Sequence, residues 1–274
     1  MIIRKMIQNK WLVLSMFFGI LMTVALVSTM PIYSEAILSR MLVKDLETFQ
    51  KERSTYPGTH WSSVGFYNEP LDKKQRIIQD LDQFMLEKAA PSFGIPVTEL
   101  VTERRTKSVI FVPEAGVEDT RRSKPSATLR SYTDLEEHLT LEDGRLPAKE
   151  PVNGVYEVLV TNGALRNFKI VLDQVFVVQD DKVPGTVKIK PVGIITKKRD
   201  DDPYFRSAGL ADWNSAFLMN EELFDREIIQ GNKIPMTLSS WFFVLDYSQM
   251  NLRNVNDFID TDQSIRSFVK SKVV

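Results

Sequence analysis

Residues 11–32 read WLVLSMFFGILMTVALVSTMPI, and how this stretch is read decides the architecture. Its 22 residues carry no charge. As an α-helix they rise about 33 Å, enough to cross a hydrocarbon core. Arg4, Lys5 and Lys10 stand before the stretch, and the first charge after it is Glu35. That asymmetry predicts a cytoplasmic N-terminus, with everything beyond Ile32 on the outer side. Trp11 and Tyr33 fall at the two ends, where amphipathic rings prefer the interface. A cleaved signal peptide would have a shorter apolar run closing on an A-x-A-like site, and STMPIYSEA matches that poorly. A buried soluble helix is the third reading, but such a long uncharged run is unusual for one.

One face of this segment goes beyond anchoring. Ser15, Gly19 and Thr23 recur every four residues, a small-residue stripe of the kind that permits close helix packing in lipid. The expectation is a partner helix in the membrane. The helical pattern then runs on: Leu38, Met41, Leu42, Leu46 and Phe49 keep 3.6-residue spacing, predicting a stalk continuous with the membrane helix and kinked at Pro31.

Further along, DKKQRIIQDLDQFMLEKAAPSFG predicts an amphipathic helix ending before Pro91, with Gly94 breaking it. IPVTELV and KSVIFVP read as strands, and the charged stretch around residues 114–131 as a loop. YEVLVTN, VLDQVFVVQ and TVKIKPVGIIT are strand candidates, separated by turn signals at Asn153-Gly154, Asn162-Gly163 and Pro184-Gly185. SAFLMNEELFD supplies a strand and a short helix, SSWFFVLDY a buried strand and VNDFIDTDQSIRSFV a closing helix. The predicted fold class is α+β: a transmembrane helix, then a mixed α/β extracytoplasmic domain with a β-rich second subdomain. The segments are a cytoplasmic terminus (1–10), the membrane helix (11–32), a stalk and mixed α/β subdomain (33–139), a β-rich subdomain (140–230), and a closing strand and helix packing back toward the membrane-proximal part (231–274).

Candidate chemistry is sparse. Of 274 residues none is cysteine, which excludes disulfides, thiolate nucleophiles and cysteine metal sites together. The 35 basic and 36 acidic side chains nearly cancel, which argues against nucleic acid as a partner. His60 and His138 have no metal-ligand companion at a recognised spacing, so structural roles are expected. Asp200, Asp201 and Asp202 read as a solvated turn in preference to a calcium loop. The basic clusters TERRTKS and TRRSK read as charged surface. No G-x-x-x-x-G-K-[ST] loop is present, and neither a catalytic residue nor a cofactor or metal site is assigned.

The stretch NKWLVLSMFFGILMTVALVSTMPIYSEAILSRML, together with LEDGRLP, YEVLVTNGAL and VKIKPVGII, resembles the permease subunits of the MacB/FtsX class of ABC transporters, Gram-positive type. The resemblance implies a large extracytoplasmic domain inserted after the first membrane helix, with Gly144, Arg145, Leu146 and Pro147 as a structural turn of its β-rich subdomain. It also implies a cytoplasmic ABC ATPase as partner, and further permease helices or a second permease copy in the membrane. The function implied is export or mechanical transmission, with a peptide, lipid or cell-wall component as the outer ligand and no reaction chemistry of its own. Family members continue into further membrane helices beyond the position of RSFVKSKVV. A membrane-anchored binding or sensor module working without a permease is the other reading.

Overall fold

The computed structural model describes residues 10–67, 69–114, 126–180, 183, 185–206 and 210–273. Arg4, Lys5, the TRRSK cluster and Pro184 therefore lie outside the described residues. Among the described residues one helix is long and apolar enough to cross a membrane, and a large mixed α/β domain follows it.

Helix α1, Lys10–Arg53, is 44 residues of unbroken helical assignment, so the membrane segment and the stalk form one element. In its first half the described side chains are exposed, from Trp11 and Leu12 through Met30. In its second half one face turns inward. Glu35, Ser39, Leu42, Leu46 and Gln50 are half-buried, whereas Leu38, Met41 and Phe49 remain exposed. The inward face is tied to the segment before the last helix. The Tyr247 hydroxyl donates to Gln50 Oε1 at 2.5 Å, the Leu252 N–H to Ser39 Oγ at 3.4 Å, and Arg253 pairs with Glu35 at 2.5 Å.

Strand β1 (Thr59–Gly65) precedes helix α2 (Leu71–Phe84), which buries Ile77, Ile78, Leu81 and Phe84 as the spacing predicts. The expected stop before Pro91 is not observed. A π-helical turn, Met85–Ala89, carries the helix on into Ala90–Ser92, and the Ala90 N–H donates to Met85 O. A π turn inserts a residue into the ladder, which lets a helix accommodate a proline that has no N–H to give. Termination falls at Gly94, whose φ of +70° favours glycine and whose missing Cβ leaves room for Asp257.

The remaining strands are β2 (Val97–Thr106), β3 (Val109–Pro113), β4 (Ser126–Tyr132), β5 (Leu139–Gly144), β6 (Val155–Thr161), β7 (Phe176–Val178), β8 (Lys188–Lys197), β9 (Ala216–Leu218) and β10 (Met236–Leu245). Between them sit α3 (Asn162–Phe168) and α4 (Glu221–Phe224), and α5 (Asn254–Val273) closes the chain. All ten strands join one sheet, in the order β1-β10-β2-β4-β3-β7-β8-β6-β9, with β5 added beside β8. Strand β9 also pairs in parallel with β4, Leu129 opposite Phe217. That pairing closes β4-β3-β7-β8-β6-β9 into a six-stranded barrel and leaves β1-β10-β2 as an open extension.

One continuous core spans the barrel and the helix-covered face of the extension. The barrel interior takes Phe111, Leu129, Val158, Val160, Phe176 and Phe217, all buried, with Phe111 and Phe217 edge to face at 4.9 Å. On the extension, α2 and α5 cover one face. Phe84 stacks on Phe268 at 4.0 Å, and Trp241 and Phe243 are buried beneath the helices. Burial of such side chains contributes roughly 1.5–3 kcal/mol each. Strand β6 is buried along both faces from Tyr156 to Thr161, because β8 runs parallel beside it and α3 follows it, which is why YEVLV reads as a continuous apolar run.

One charge sits inside that run. Glu157 is fully buried and is held by Arg145, which donates from both terminal guanidinium nitrogens at 2.5 Å. The Ala148 N–H (3.1 Å) and Lys190 Nζ (3.4 Å) complete its shell. Gly144 ends β5 with φ +81°, Arg145 donates its N–H to Val192 O, and Pro147 leads the chain away from the sheet. The Arg145 fork holds the Glu157 carboxyl down at about 2, against the opposing effect of burial.

Candidate functional site

Strand periodicity divides β2 between two environments. Arg104 points toward α2, while Val101, Glu103 and Arg105 point to the opposite face. Arg104 is buried, paired with Asp82 at 2.6 Å and donating to Ser239 Oγ at 2.6 Å; Asp82 also accepts from Trp241 Nε1 at 2.7 Å. TERRTKS is thus not the charged surface the sequence suggested, because an alternating strand with a helix on one side buries every second side chain.

The opposite face opens into a cleft of about 390 Å³ where the extension meets the barrel. β1 contributes Trp61, β10 Ser240 and Phe242, β4 Arg130 and Tyr132, and the segment before β9 Phe205, Arg206 and Trp213. The aromatic wall is continuous: Tyr132 lies 5.0 Å from Trp213, and Trp213 lies 5.7 Å from Phe205. Arg206 sits over the Trp61 ring at 4.6 Å. Arg130 is anchored by Glu103 at 3.4 Å and by Thr128 Oγ1 at 3.1 Å. Burial pushes the Tyr132 phenol above its ordinary range, so its hydroxyl stays protonated. A wall of tilted rings beside three guanidinium groups suits a ligand with a planar or apolar body and an anionic end.

A second cluster adjoins this cleft through Tyr204 and Phe205. His138 Nδ1 and Asp202 Oδ2 are hydrogen-bonded at 2.9 Å, and the His138 ring stacks on Tyr204 at 3.8 Å. Glu99, from the next register of β2, brings a carboxylate oxygen to the same place, so that one ligand atom from each of Glu99, His138 and Asp202 lies within 4.8 Å of the others. Two sequence readings are corrected here. His138 does have acidic companions, and Asp202 is buried; of the three aspartates only Asp200 and Asp201 are exposed. The cause is the Tyr204 N–H, which donates to Asp202 Oδ1 and folds the turn inward over His138. His60 is structural in its contacts, bonded to Asp262 at 2.9 Å and ringed by Phe93, Phe243 and Phe258.

Ser15, Gly19 and Thr23 lie on the exposed half of α1, remote from both clusters. Ser15 and Thr23 return their hydroxyls to the backbone at Leu12 and Gly19, and no other group lies near where a Gly19 Cβ would be. Gly144 to Pro147 serve the Glu157 network and do not touch the cleft. The cleft residues were not singled out from the sequence, although the alternation of Val101, Glu103 and Arg105 marks one strand face.

No protein-family model matches this chain, and no curated protein matches it. Among solved structures it is similar to the crystal structure of "a domain of a putative Permease protein" from Porphyromonas gingivalis, at 12% identity over 64% of this chain and 74% of that one. The TM-score is 0.35, at which a common fold is not established.

Proposed function

We propose that this chain is the first membrane helix and extracytoplasmic domain of a permease of the MacB/FtsX class. Its N-terminus is cytoplasmic, and a separate cytoplasmic ABC ATPase drives export or mechanical transmission through it. The observation that carries this reading is the 44-residue helix, which runs from the apolar segment into bonded contact with the outer domain through Glu35, Ser39 and Gln50. A mere tether gains nothing from such rigid continuity, whereas a transmitting element requires it. Leu38, Met41 and Phe49, exposed along the flank of the inward face, together with the Ser15, Gly19 and Thr23 stripe, supply surfaces for further permease helices or a second copy. The chain runs no reaction of its own; the outer domain meets a peptide, lipid or cell-wall component. The cleft favours a second reading, a stand-alone anchored binding or sensor module.

The test uses the absence of cysteine. Single cysteines placed beside Gly19 in the full-length protein, oxidised in native membranes, are expected to crosslink to another membrane helix, and mild-detergent purification to recover an ABC ATPase. Gly19→Leu should abolish the crosslink without affecting insertion, since Leu is at least as favourable in lipid. A parent protein that yields neither crosslink nor ATPase overturns the permease reading.

A further inference from the structure

We propose that Glu99, His138 and Asp202 form a binding site for a divalent transition cation of the zinc class. This inference does not depend on the permease reading. The three side chains come from separate elements: Glu99 from β2, His138 from the 3₁₀ turn Leu135–His138, and Asp202 from the turn after β8. Each is positioned by the fold. Glu99 is fixed by its pairing with Val244 in the sheet, His138 by the Lys198 N–H bonded to its carbonyl at 3.0 Å and by the Tyr204 ring, and Asp202 by the Tyr204 N–H.

The donor set is one imidazole nitrogen and two carboxylates. Imidazole suits zinc and its neighbours, while calcium and magnesium prefer oxygen alone. Two carboxylate charges balance one divalent ion. In a tetrahedral zinc site with ligands at 2.0–2.2 Å, neighbouring donor atoms stand roughly 3.3 Å apart. The His138–Asp202 pair, at 2.9 Å, needs to open only a few tenths of an ångström as the ion takes the Nδ1 lone pair and the neutral imidazole carries its one proton on Nε2.

A bare hydrogen-bonded pair would explain His138 and Asp202 but not Glu99. Glu99 Oε2 is shut off from solvent and has no hydrogen-bond partner. A buried acceptor left this way is costly. Arg199 stands nearby, its mostly exposed guanidinium 3.9 Å from Asp202 Oδ1, but does not hydrogen-bond Glu99 Oε2. Asp202 also lines a cavity of about 300 Å³ with Ser54, Thr55 and Tyr56, which gives a hydrated ion a route in from the foot of α1.

The experiment takes the full chain in dodecyl maltoside, without a histidine tag and stripped by chelator, and titrates zinc chloride calorimetrically. One equivalent is expected to bind with micromolar or tighter affinity, and calcium chloride is expected to give no saturable heat. Glu99→Gln and His138→Gln should each weaken zinc binding at least tenfold, while His60→Gln leaves it unchanged. Cobalt chloride added to the parent should produce the visible absorption bands of a low-coordinate site. That measurement needs no variant, so it stands even where a substitution impairs folding. Absence of both saturable zinc heat and cobalt bands in the parent overturns the proposal, as does an unchanged affinity in folded Glu99→Gln.

Discussion

Truncating Arg145 to Ala should expose how much of the barrel rests on one buried carboxylate. Glu157 is fully buried, and Arg145 closes its two oxygens bidentately, whereas Lys190 reaches only one of them, at 3.4 Å. Removing one partner of a buried pair typically costs about 3–5 kcal/mol. Here Lys190 and the Ala148 N–H remain, and the Arg145 side chain is 54% exposed, so solvent screens part of the attraction. The net displacement of the Glu157 carboxyl from an ordinary 4.5 to about 2, with burial opposing it, corresponds to about 3 kcal/mol. Allowing for screening, Arg145→Ala should lose about 2 kcal/mol at neutral pH. The sign with pH follows from the depressed folded-state value. The contribution is fully present above pH 4.5 and is lost as pH falls through about 2. Urea unfolding of the full chain in dodecyl maltoside, followed by tryptophan fluorescence at several pH values, would measure it. The gap between parent and variant should be constant above pH 4.5 and shrink toward pH 2. A loss below about 0.5 kcal/mol at pH 7, or a gap that does not change across that range, would refute the reasoning.

Gly144→Ala should destabilise the same edge of the barrel by about 2–4 kcal/mol, because φ is +81° and the added Cβ would collide with the Val192 carbonyl oxygen; the same urea series would show it as a lowered midpoint. Asp225→Asn should act in the opposite direction. Burial raises the Asp225 carboxyl from 3.8 to about 6, so at pH 7 the folded state carries a penalised charge. That penalty fades as pH falls through about 6 toward 3.8, so the variant should gain on the order of 1 kcal/mol at pH 7 and lose the advantage near pH 4. A melting curve at each pH would check it.

Much of the architecture was readable because it is carried by local periodicity. The uncharged 22-residue run, the apolar face of α2, the largely apolar β6 and the closing helix α5 each announce themselves within their own segment. Barrel closure does not. It depends on three residues of β9 lying in parallel against β4, about ninety positions away, and nothing in AFL specifies that partner. The Pro91 stop failed because a π turn absorbs the proline, a device with no composition signal. KKRDDDPYF misled for a different reason. Three adjacent aspartates suggest water, yet the outcome for Asp202 was set by Tyr204, two residues on, and His138, sixty-four residues back.

The cleft and the helix-covered core are two products of a single alternation on the central strands. On β2, Glu103 and Arg105 reach the cleft while Arg104 lies beneath α2; on β10, Ser240 and Phe242 face the cleft while Trp241 and Phe243 face the helices. A one-residue slip in the pairing of β2 with β10 would turn one strand over relative to the other, moving either Arg104 or Trp241 into the cleft and putting Glu103 or Phe242 under α2. Such a slip would cost Asp82 one of its two donors, the guanidinium or the indole N–H. The Asp82–Arg104–Trp241 network, with Arg104 and Trp241 buried and Asp82 partly exposed, therefore favours the register that gives the cleft its rings and its arginines. The α2 residues that never touch the cleft determine what lines it.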